Sequence, residues 1–163
     1  MTSAATVQER AIQMTEFKYT IPLPPVTKKN HSRIVKVGKY HRLLPSKQYE
    51  NYDKAISQHL KDFHEQIGET ITYPVNLKCI FYCATRRPCD LVGHLQSIQD
   101  LLTKYSCIED DCRDIVASTD GSAVMYDKQN PRTEITITAK EDYEQWSLQI
   151  QQEKKPKRRK SSE

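Results

Sequence analysis

The stretch Arg86-Arg87-Pro88-Cys89-Asp90-Leu91-Val92-Gly93-His94-Leu95-Gln96-Ser97-Ile98-Gln99-Asp100-Leu101-Leu102, followed by Ile108-Glu109-Asp110-Asp111, organises the chain. A basic pair leads into an aspartate that opens an amphipathic helix, with Leu91, Leu95, Ile98 and Leu102 on the stripe predicted to be buried. Gly93, Gln96 or Ser97, and Asp100 recur on a neighbouring stripe about one turn apart. A short loop then delivers three consecutive acids. Carboxylates gathered from separate backbone positions repel one another unless cations neutralise them. Hard divalent cations prefer oxygen ligands, so one reading is a Mg²⁺ or Mn²⁺ site for phosphodiester chemistry. The other is structural: Asp90 as a helix N-cap, Asp100 as a surface residue and the acidic triplet as a solvated turn.

Outward from this stretch the chain reads as alternating elements. Residues 75–84 carry Val75, Leu77, Cys79, Phe81 and Cys83 on one face and Ile80 and Tyr82 on the other. That pattern predicts a central strand covered on both sides for part of its length. It ends at Thr85-Arg86-Arg87-Pro88, so two arginines stand at a strand tip, where guanidinium groups can clamp a phosphate. Downstream, 114–119 is a strand candidate, Asp120-Gly121-Ser122 a turn, 124–126 a sheet extension and 132–139 the last strand. If Asp110 and Asp111 are already extended, their side chains point to opposite faces and only one can ligate a given ion.

Upstream, Pro45-Ser46 predicts an N-cap for a helix reaching about Phe63, with Tyr49, Tyr52, Ile56, Leu60 and Phe63 spaced by three and four. Residues 26–44 form a basic loop or irregular hairpin turning about Gly38, and Lys28, Lys29 and Arg33 lie in it. Phe17 to Ile21 alternates as a half-buried strand does, and Pro22, Pro24 and Pro25 end it. The expected fold class is α+β: a mixed sheet of about four strands with two main helices packed on it. The expected divisions are a flexible extension over 1–15, a domain over 16–140, a helix over 141–153 and a basic flexible tail over 154–163.

At 163 residues the chain is most simply one domain with tails. Its net charge is only +4, but cations cluster at Lys28-Lys29, Arg33 to Arg42, Arg86-Arg87 and Lys154 to Lys160, around acids at Glu109 to Asp111. A cationic surface around a small acidic centre suits a polyanion whose phosphate must meet a metal. No apolar run approaches the length of a membrane span and no signal-peptide core is visible, so a cytoplasmic protein is expected. The five cysteines then read as reduced thiols, and their spacing lacks the Cys-x-x-Cys knuckle of structural zinc sites.

The order of these features resembles the RusA family of Holliday-junction resolvases. That family's pattern is a basic run, Asp-x-Asp-Asn at a helix start, a lysine one turn on, Asp-x-Leu near the helix end, then Asp-Asp and a strand. Arg86-Arg87, Asp90, Asp100-Leu101-Leu102 and Asp110-Asp111 match it, and the resemblance spans roughly residues 16 to 139. Val92, Gly93 and Gln96 stand where the family has its second aspartate, its asparagine and its lysine. The resemblance implies a homodimeric, Mg²⁺-dependent endonuclease (Mn²⁺ as substitute) acting on branched DNA without a small-molecule cofactor. It implies Asp90, Asp110, Asp111 and Asp100 as catalytic residues, with Asp90, Asp111 and Asp110 holding the metal. Lys28, Lys29, Arg33, Arg86 and Arg87 would contact nucleic acid. The departures leave an alternative, a catalytically inactive dimer that binds branched DNA.

Overall fold

Strict alternation along one strand sets the architecture. A computed structural model describes residues 16–28 and 32–140; the expected extension, terminal helix and basic tail lie outside the described residues, as does Lys29. In chain order the elements are β1 (Glu16–Ile21), β2 (Arg33–Val37), β3 (Tyr40–Leu44), α1 (Lys47–Ile67), β4 (Val75–Cys83), α2 (Leu91–Lys104), β5 (Val116–Ser118), β6 (Ala123–Tyr126) and β7 (Arg132–Ala139). Along β4, Val75, Leu77, Cys79, Phe81 and Cys83 are buried, and the residues between them are half-buried or exposed.

β4 is the hub of a five-stranded mixed sheet. β7 pairs with it antiparallel from Val75↔Ala139 to Tyr82↔Arg132, and β1 lies antiparallel on the far side of β7. The other edge of β4 takes two short parallel partners, β5 at its start and β6 at its tip. A parallel return needs a crossover, which α2 provides. The sheet thus has one strand more than expected. The basic segment forms its own two-stranded ribbon, β2 with β3, whose turn places Gly38 at φ +63°.

One core joins both helices to the buried face of β4 and β7. Tyr49, Tyr52, Ile56, Leu60 and Phe63 come from α1, and Leu95, Ile98, Leu101 and Leu102 from α2. Helix α1 begins where expected, with Ser46 Oγ accepting from Tyr49 N, and runs on to Ile67, where Gly68 in the left-handed region ends it. On the opposite face of the sheet, the Arg132 guanidinium lies 3.6 Å from the Tyr82 ring centroid and also bonds Asp127 and Glu134. Among the described residues, no helix is long and apolar enough to cross a membrane.

Candidate functional site

Helix α2 carries the predicted site residues at its two ends. At the start, Asp90 is the N-cap, its Oδ1 accepting from Val92 N at 3.1 Å. Gly93 follows because the Pro25–Thr27 segment passes close by: a Cβ there would meet Asp90 Oδ2 at 3.2 Å and Thr27 Cγ2 at 3.5 Å. Asp90 and Arg87 line a cleft of about 560 Å³ between this segment and the tip of β4. Arg86 turns the other way, its guanidinium 4.6 Å from the Tyr126 ring centroid. Val92 is 64% exposed and offers no oxygen ligand.

The same cleft holds a group that sequence spacing concealed. The chain leaves β4 at Cys83 and returns through Cys89 into α2, where His94 is buried with its ring stacked on Phe81 at 5.0 Å. The Cys83 and Cys89 sulfurs are 3.7 Å apart, and one ligand atom from each of Cys83, Cys89 and His94 lies within 4.8 Å of the others. Burial, then the contact with Cys89, pushes the Cys83 thiol up to about 11. Burial lowers the His94 pKa against the opposing charge of Asp90, favouring neutral imidazole. In the sequence Cys83 lies on the apolar face of a strand and His94 eleven residues on; only the reversal of the chain between β4 and α2 joins them.

At the other end stand the remaining carboxylates. Asp100 lies ten residues beyond Asp90, about 15 Å along a helix axis. The acidic segment is a run of bends and turns rather than strand, because β5 begins only at Val116. Asp110 Oδ1 accepts from Asp111 N at 2.8 Å, which folds the pair tightly. The Asp111 carboxyl is held above its ordinary range by desolvation, by its hydrogen bond with Asp110, and by the charges of Asp100 and Asp110. Glu109 is exposed.

Cations reach this end from a distant segment. Lys28 Nζ bonds Asp100 Oδ2 at 2.8 Å, and Lys28 N donates to Ser97 Oγ at 2.7 Å. Lys28 therefore lies against the helix face one turn from the exposed Gln96. Arg33 is engaged elsewhere: its guanidinium grips both oxygens of Glu50 at 2.8 and 2.9 Å and donates to the Pro45 carbonyl, tying the ribbon to α1. The structure thus brings together Asp100, Asp110, Asp111 and Lys28 at one end of α2, and Asp90 with Arg87 at the other. Among the described residues, the carboxylates form no group of three with ligand atoms within 4.8 Å of one another.

The fold is an α+β domain whose crossover helix α2 has an arginine-lined strand tip at its start and aspartates with Lys28 towards its end. The family model "Endodeoxyribonuclease RusA" matches residues 22–138, and the chain belongs to the RusA family. Membership implies Holliday-junction resolvase nuclease activity on branched DNA in a family that generally depends on divalent metal. The search of curated proteins gives no significant match. Among solved structures, the periplasmic domain of Helicobacter pylori MotB (residues 97–256) is 12% identical with a TM-score of 0.32, covering 77% of this chain and 98% of that one.

Proposed function

We propose that this chain is a Mg²⁺-dependent endonuclease that cuts four-way DNA junctions as a homodimer, with Mn²⁺ as a substitute ion. The observation that carries the reading is the family match over residues 22–138, supported by the tight Asp110–Asp111 turn and by Asp100, whose charge reaches Asp111. An oxygen-only donor set of this kind suits a hard cation, and Mg²⁺ commonly binds through one or two carboxylates while keeping several waters. Asp111 is the direct ligand in this reading, supported by Asp110 and Asp100. Asp90 keeps its place as the cap of α2 and a wall of the arginine cleft, a narrower ligand set than the resemblance implies. When bound, the ion would supply an activated water and neutralise the leaving oxygen.

The protein's own groups do the rest. Arg87 in its cleft and Arg86 beside it bind backbone phosphates and set the strand's position. Lys28 brings an ammonium to within a turn of Gln96, where the family carries its lysine, so a cation missing from α2 is supplied by another segment. Two copies related by a two-fold axis would present two such sites to a junction of matching symmetry.

A second reading, a branched-DNA-binding dimer that does not cut, draws on the apolar, exposed Val92 and on the ion pair that already neutralises Asp100. A synthetic four-way junction incubated with the full chain, with and without Mg²⁺, separates the two. Symmetric nicks that need the ion and vanish in Asp111→Asn are the expected result. Tight binding without nicks in Mg²⁺ or Mn²⁺ favours the second reading, and the absence of any salt-sensitive binding removes both.

A further inference from the structure

We infer that Cys83, Cys89 and His94 form a Zn²⁺ site that fastens the tip of β4 to the first turn of α2. Two thiolates about 2.3 Å from a tetrahedral zinc lie about 3.8 Å from each other, and these sulfurs are already 3.7 Å apart. The imidazole nitrogen is within 4.8 Å of both sulfurs, so a small inward movement completes the coordination. Its ring is set in place by the stack on Phe81 and by burial that leaves His94 only 5% exposed. Soft sulfur and nitrogen donors select zinc over the hard ions that suit carboxylates, so the two ends of α2 take different metals.

The position of the site gives it a role. The loop from Cys83 to Cys89 carries both Arg86 and Arg87, and zinc closes that loop at each end. Cys83 and Cys89 lie between two clefts, one containing Arg87 and Asp90, the other Arg86 and Tyr126. Three protein ligands leave a fourth position for a water from these clefts. Ligation converts each thiol to thiolate and releases its proton to solvent, so zinc affinity falls as pH falls.

The test uses the full-length chain under reducing conditions, stripped with a chelator and titrated with Zn²⁺ against a chromophoric competitor. One equivalent per chain is expected, with affinity at least 100-fold weaker in Cys89→Ser and unchanged in Cys112→Ser, whose exposed thiol lies outside the cluster. Zinc should also raise Tm in the parent and not in Cys89→Ser, and far-UV circular dichroism verifies that this surface variant is folded. Co²⁺ in place of zinc should give the intense visible bands of a tetrahedral ion together with sulfur charge transfer, weakened in His94→Gln. Equal zinc affinity in the parent and Cys89→Ser, or an octahedral Co²⁺ spectrum, overturns the inference. Each readout is taken without DNA, so a failed nuclease assay leaves it standing.

Discussion

At the start of α2, two sulfurs and an imidazole crowd together; towards its other end, Asp110 and Asp111 share a tight turn and Asp100 is paired with a lysine. One helix spaces the two groups, yet burial and charge treat them in opposite ways. In the first group Cys83 and His94 are buried, His94 against Phe81, and burial disfavours the charged form of both. In the second, Asp110 and Asp111 are exposed, and desolvation, the hydrogen bond with Asp110 and then like charges raise the carboxyl of Asp111. The comparison shows how one element can offer soft ligands and hard ligands without mixing them: His94 and Asp100 stand six residues apart, about 9 Å along the helix axis.

The largest expected effect lies at the acidic end. Asp111→Asn should lower junction cutting by about 10²–10³-fold, the scale on which loss of a group that stabilises the transition state is felt. The same change should raise Tm at neutral pH. A carboxyl whose folded pKa lies above its unfolded value loses stability as pH rises through the folded pKa, and asparagine removes that loss. If Asp90→Asn costs as much cutting as Asp111→Asn, the ion sits at the start of the helix and the division between the ends is wrong.

A smaller effect should follow at the sulfur end. Asp90→Ala removes the cap on Val92 N and should destabilise the fold by about 1 kcal/mol in denaturant titration. Asp127 sharpens the comparison from outside α2. Its carboxyl sits below the ordinary range because the Asn130 and Gln129 amides and Arg132 bond it. Asp127→Asn should therefore destabilise at neutral pH, and the difference should vanish as pH falls through the depressed folded pKa. Opposite signs for Asp111→Asn and Asp127→Asn are expected; the same sign would mean that local charge does not govern either.

The smallest effect is assigned to Gly93→Ala. Its gain in helix propensity of about 1 kcal/mol is opposed by crowding against Asp90 Oδ2 and Thr27 Cγ2, at 3.2 and 3.5 Å from the new Cβ. Denaturation midpoints should barely move. A clear gain would show that the Pro25–Thr27 segment yields easily and does not hold the cleft.

Much of this molecule was legible in the residue order. Period-two alternation named β4 and β7, period-3.6 spacing named α1 and α2, and Ser46 and Asp90 marked both helix starts, because each of these signals is local to the backbone. The family motif followed from the same stretch. What lay beyond reach was every contact across long sequence separation: Lys28 on Asp100, Arg33 on Glu50 and His94 with Cys83. The edge of β4 shared by β5 and β6 was equally hidden. Side-chain types and periodicity fix which groups a chain possesses and which face of each element they occupy. Which groups then meet is decided when the crossover through α2 reverses the chain, setting the thiols of the strand tip beside the helix start and leaving the aspartates at the far end.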